Sequence, residues 1–235
     1  MTALSATLLV TVPARAEPDL DKPPLSRMSL SIGSPNAGSM RRAKRLKKGP
    51  GLALLERSKD RHFGHPALIL MLQRSAKQIA RANPGAKLAV GDISAEAGGP
   101  LSGHHSHQSG RDADLAFYAR DAKGKLVAPE KFVAYGADGK ANDGSGLVFD
   151  DALNWALVES MARDTRANLA YVFVSRGLRA RLLAYAAQKK RPKKYVDLVV
   201  ALFVQPENAE PHNDHFHVRI RCPKDQEGVC VEATR

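Results

Sequence analysis

No run of about 18 apolar residues occurs in this 235-residue chain, so no membrane-spanning helix is expected. Cysteine is almost absent: only Cys222 and Cys230 are present, and two thiols eight positions apart do not make a cysteine-rich zinc module. The nucleophile elbow G-x-S-x-G is missing. So are the phosphate loop G-x-x-x-x-G-K-[ST] and the helical H-E-x-x-H pair. Three common routes to hydrolase or nucleotide chemistry are therefore closed. No segment repeats. The length suits one domain, and a hydrophobic content of 43% is enough for a core.

What the chain does have is clustered histidine. Of eight histidines, three fall in "SGHHSHQSGRDADLAFY" (102–118) and three in "EPHNDHFHVRI" (210–220). Both clusters lie on strand-like alternation. In "HFHVRI", His215, His217 and Arg219 share one face, and Phe216, Val218 and Ile220 the other. In "DADLAFY", Asp112 and Asp114 share a face opposite Ala113, Leu115 and Phe117. Set side by side, two such strands would present His and Asp side chains over one open face of a sheet. A zinc site that does chemistry takes three such ligands and keeps a position for water. His107 and Asp114 are one candidate pair, with the third ligand drawn from the His-Phe-His stretch.

Elsewhere the pattern is helix and strand. Leu68, Leu72, Ala76 and Ile79 are spaced for a helix over 65–83, opened at Pro66 and closed at Asn83-Pro84-Gly85. Residues 87–94 and 170–175 read as strands, and 119–147 as a polar surface excursion. "DDALNWALVESMARD" reads as a helix capped by Asp150 or Asp151. "GLRARLLAYAAQKK" and "YVDLVVALFVQ" read as further helices.

Formal net charge is +12, concentrated in "RRAKRLKK" (41–48) and "KKRPKK" (189–194). Such runs are solvated faces or polyanion-binding patches. Residues 1–16 have an apolar run followed by Ala-Arg-Ala, the pattern of a secretory leader without its usual basic start. Residues 17–50, rich in Pro, Ser and Gly, read as an extended basic arm or linker, with the folded domain over 51–235. In an oxidising compartment Cys222 and Cys230 could close a short loop, worth roughly 2–3 kcal/mol; two free thiols are the alternative.

The strings "GHHSHQSGRDADLAFY" and "PHNDHFHVRIRCP" resemble the penicillin-insensitive murein endopeptidases. These belong to the zinc peptidases grouped with lysostaphin, D-Ala-D-Ala peptidases and the Hedgehog domain. Similar pieces run in order from about residue 29 to 230, including "FGHPALILMLQR" and "VFVSRGLRARLL". The resemblance implies zinc on His107, Asp114 and His217, with His215 as the catalytic histidine. His104 and His212 match further active-site histidines. Asp112, beside this site, reads either as a group that orients a ligand histidine from behind or as a solvated strand aspartate. His105 sits at a variable position. His65 also matches, although Pro66 beside it fits a plain helix start. This chain departs from the pattern in having fewer cysteines and an unusually basic 178–204 region.

The implied fold is α+β: a central antiparallel sheet bearing the zinc site, with helices packed around it. The implied activity is hydrolysis of D-alanyl–diaminopimelyl cross-links in peptidoglycan, in the periplasm, without an acyl-enzyme and hence insensitive to β-lactams. Peptidoglycan is the expected partner, with anionic envelope polymers beside it and without nucleic acid. The rivals are a D,D-carboxypeptidase, a non-catalytic zinc-containing wall-binding domain and, from charge alone, a DNA-binding protein or metal nuclease.

Overall fold

The computed structural model describes residues 19–22, 25–205 and 210–232. In chain order its elements are β1 (Leu30–Ser34), β2 (Ala37–Arg41), β3 (Lys44–Arg45), β4 (Leu52–Leu54), β5 (Phe63–Gly64), α1 (Pro66–Ala82), β6 (Leu88–Val90) and β7 (Asp112–Ala116). Then come β8 (Ala119–Arg120), β9 (Leu126–Val127), β10 (Val148–Phe149), α2 (Asp151–Ala162), β11 (Leu169–Phe173), α3 (Arg176–Gln188), α4 (Lys193–Leu202), β12 (Phe203–Val204) and β13 (His215–Ile220). The class is α+β, as expected.

The main sheet has six strands in the order β12-β11-β13-β7-β6-β4. Its centre is antiparallel: β13 pairs with β11 and β7, and β7 with β6. The outermost pairs, β11–β12 and β4–β6, are parallel. The alternation in β7 and β13 decides which face is which. Phe216, Val218 and Ile220 join Ala113 and Leu115 in a core that also takes the apolar faces of α1, α2 and α3. The polar members of the same strands therefore point away from the helices.

The helices form where spacing and caps predicted. Leu68, Leu72, Ala76 and Ile79 of α1 are buried, and each large side chain so buried contributes about 1.5–3 kcal/mol. His65 caps this helix: its Nδ1 accepts the Ala67 N–H at 3.2 Å, and Pro66 follows at the first turn. Asp150 caps α2 through the Leu153 N–H at 2.9 Å. α4 ends earlier than its apolar run suggests, because Phe203 and Val204 switch to a strand beside β11. The polar excursion carries a small sheet of its own, β10-β8-β9.

Residues 17–50 are not an extended arm over their second half, which corrects the sequence reading. β1 and β2 form a hairpin, Leu30, Met40 and Leu46 are buried, and Gly33 bridges to Cys230. The apolar residues are too thinly spread among Ser and Gly to show a local pattern. Their burial depends on partners far along the chain, such as Gln226, whose side chain binds Ser31 N at 2.8 Å. Cys222 and Cys230 are disulfide-bonded, closing the loop that holds this hairpin. The expected leader, residues 1–16, lies outside the described residues.

Candidate metal centre

β7 and β13 set the floor of the site. Their register places Asp114 beside His217, Asp112 beside Arg219 and Ala116 beside His215. The loop after β6 brings His104 and His107 over the same face. His107 sits in the left-handed region at φ 67°, unusual for a residue with a Cβ and costing on the order of 1–3 kcal/mol. Its backbone N–H reaches Asp112 Oδ2 at 3.2 Å, which helps hold that conformation.

Asp114 is the centre. Its Oδ1 lies 3.3 Å from His107 Nε2, 3.4 Å from His217 Nδ1 and 3.4 Å from His215 Nε2. Its Oδ2 lies 3.9 Å from His104 Nδ1. Two trios of metal-capable residues meet here, His104–His107–Asp114 and His212–His215–His217, the atoms of each within 4.8 Å of one another. All six histidine and aspartate positions singled out as catalytic or ligating in the sequence are thus gathered, along with Asp112. His105 is exposed and takes no part.

The outer hydrogen bonds orient the rings. His107 Nδ1 lies 2.8 Å from the Ile93 carbonyl. A carbonyl only accepts, so Nδ1 carries the hydrogen and Nε2 presents its lone pair to Asp114. His217 Nε2 lies 2.9 Å from Asp112 Oδ1, leaving Nδ1 free in the same way. Asp112 also accepts from Arg219 Nε at 2.6 Å. Burial opposes its charge, but Arg219 and His217 hold its carboxyl well below the usual range.

His107 Nε2 and Asp114 Oδ1 are buried and, among the described residues, have no hydrogen-bond partner. A buried polar atom without a partner is costly. Two such atoms facing each other, with the His107 ring anchored from behind by the Ile93 carbonyl, suit a cation. Two imidazole nitrogens and a carboxylate oxygen are a donor set that zinc takes. The residues present fit the ion.

The remaining histidines differ in state. Burial works against a charged His215, yet Asp114 and Asp214 push it up to about 10. Asp214 Oδ1 meets His215 Nδ1 at 2.6 Å, and the Phe132 ring stacks on His215 at 4.7 Å. Burial, helped by His217 and His215, lowers His212 to about 4. His104 Nε2 lies 2.8 Å from Asp92, which Arg61 also binds at 2.9 Å. Asp92, Asp214 and Phe132 were not anticipated. Asp214 directly precedes the His-Phe-His stretch and was within reach of the sequence. Asp92 and Phe132 join the site only through chain folding.

A family model described as penicillin-insensitive murein endopeptidase matches residues 31–235. Among relatives named penicillin-insensitive murein endopeptidase, that of Haemophilus influenzae is 29% identical over 191 residues, 76% of this chain and 58% of that protein. That of Klebsiella pneumoniae subsp. pneumoniae is 28% identical over 205 residues, 85% of this chain and 69% of that protein. That of Salmonella paratyphi B is 30% identical over 169 residues, 70% of this chain and 56% of that protein. The matches span between 56% and 69% of the length of these relatives. With the match running over nearly the whole described chain, site included, this protein belongs to the penicillin-insensitive murein endopeptidase family.

Proposed function

We propose that the protein is a zinc endopeptidase that hydrolyses D-alanyl–diaminopimelyl cross-links of bacterial peptidoglycan in the periplasm. The observation that carries this reading is the convergence of His107, His215 and His217 on one oxygen of Asp114 at 3.3–3.4 Å. His107 Nε2, Asp114 Oδ1 and His217 Nδ1 would hold the zinc. When bound, zinc supplies a water of lowered pKa and a Lewis acid for the scissile carbonyl.

His215 is the proton acceptor. An Asp114 that held a cation would pull less on the His215 proton, and the cation's own charge would oppose that proton against the pull of Asp214, so that the imidazole would be able to accept one. Asp214 fixes its Nδ1, so Nε2 faces the reacting water and later returns the proton to the leaving amine. His212, kept neutral by burial, and His104, held by Asp92, complete the wall of histidines around the carbonyl. Nothing in this scheme acylates the protein, so β-lactams have no nucleophile to trap. The basic runs at 41–48 and 189–194 would keep the enzyme near anionic envelope polymers.

The test is mass spectrometry of purified sacculi digested with the protein, with and without chelator. Cross-linked dimers should fall to monomers, and chelation should stop the reaction. Loss of a terminal residue from monomeric stem peptides with cross-links intact would mark a D,D-carboxypeptidase instead. No product from either would leave a wall-binding domain.

A further inference from the structure

Phe132 reaches the site from the polar excursion and lands on a floor of small residues. It packs on Leu55, Ala89 and Ala116, with Ala53 at the edge. Gly91 admits the ring: a Cβ there would meet Phe132 Cζ at 2.5 Å. Beyond stacking on His215, the same ring carries the guanidinium of Arg57, 4.8 Å from its centroid. Arg57 lies in the short 3-10 turn Glu56–Ser58 that follows β4, and it is exposed.

Two other arginines reach the side chains of the site, and each is neutralised. Arg219 binds Asp112 at 2.6 Å and Arg61 binds Asp92 at 2.9 Å. Among the described residues Arg57 pairs with no carboxylate. An arginine held over an aromatic ring keeps its charge and its planar fork of donors while losing conformational freedom. That fork matches a carboxylate bidentately. It is attached, through one ring, to the histidine proposed to move the proton.

We infer that Arg57, seated on Phe132, is a specificity-determining residue that binds a substrate carboxylate on the carbon bearing the scissile nitrogen. This rests on the endopeptidase reading above. In a D-alanyl–diaminopimelyl cross-link, the diaminopimelyl carbon attached to the cleaved nitrogen also carries a carboxylate, which an ordinary internal peptide bond lacks. A cation held one aromatic ring away from the proton-handling histidine distinguishes the two.

The test uses zinc-loaded full-length protein and two synthetic peptides with the same D-alanyl amide bond, one with a carboxylate and one with a carboxamide beside the scissile nitrogen. Wild type should prefer the carboxylate by about 10–100-fold in kcat/KM, the range for a hydrogen-bonded charged group. Arg57→Gln should lose that preference through the carboxylate peptide alone, leaving the carboxamide peptide, the zinc content and the melting temperature unchanged. Phe132→Leu, which removes the platform, should erode the preference in part. An equal fall on both peptides, or no change on either, overturns the assignment. If wild type cleaves neither peptide, the endopeptidase reading fails. Calorimetric binding of the carboxylate peptide then decides on its own: tighter binding to wild type than to Arg57→Gln supports the subsite, and equal binding overturns it.

Discussion

His217 Nε2 lies 2.9 Å from Asp112 Oδ1, across neighbouring antiparallel strands and 105 positions apart in the chain. This contact selects which ring nitrogen of His217 is free. Asp112→Asn keeps an acceptor but removes the charge that orients both His217 and Arg219. Zinc affinity should fall about 10–100-fold, measured by competition with a chelator of known affinity. An unchanged affinity would mean that His217 needs no orienting group.

The two histidines of β13 should separate binding from chemistry. His217→Ala should lose zinc and hydrolysis together. His215→Ala should keep about one zinc per chain while the rate drops roughly 10²–10⁴-fold. Metal content beside rate for each variant is the measurement. Complete zinc loss from His215→Ala would reverse the two assignments. Full activity there, with His212→Ala inactive and zinc-loaded, would make His212 the proton acceptor.

The disulfide closes a loop whose Gln226 ties to Ser31 and Ser29, so it anchors the β1–β2 hairpin. Replacing Cys222 and Cys230 by serine should lower stability by about 2–3 kcal/mol in denaturant titration. Zinc binding should survive, because the ligands sit on the main sheet and the loop after β6.

Stability should depend on His65. Burial lowers its pKa, and its Nδ1 accepts the Ala67 N–H at 3.2 Å. The unfolded chain therefore binds a proton that the folded chain refuses. Stability from this group is present above the ordinary histidine range and declines as pH falls through it. His65→Asn keeps a cap without the titration. Between pH 7 and about pH 5 its stability should fall less steeply than wild type; parallel curves would remove His65 as the cause.

Arg41, Arg42, Lys44 and Arg45 lie on β2, β3 and the turn between them; Arg41 meets Asp21 at 2.9 Å and Arg45 stacks on Phe63. Replacing all four by glutamine should weaken sacculus pull-down and flatten its salt dependence. Unchanged salt dependence would assign this run to solubility alone.

The residues of the site and their grouping were legible without coordinates. Asp112 and Asp114, like His215 and His217, stand in a period-2 pattern, and a strand must put alternate side chains on one face, whereas His107 reaches that face from the loop after β6. Helix α1 was equally readable, because its apolar spacing, Pro66 and Asn83 all act within a few residues of one another. What tertiary structure alone decided is whatever depends on distant partners. The hairpin of residues 30–41 looked like a linker, since its stability comes from Gln226 and Cys230 and not from its own pattern. Phe203 and Val204 left their helical run because an open strand edge on β11 was available. The parallel outer pairs of the main sheet follow from crossovers that no local spacing encodes. Asp92 reached His104, and Phe132 reached His215, only because the chain returned them there. Local periodicity writes faces into a sequence; the choice of neighbour across a face is made by the packing of the whole chain.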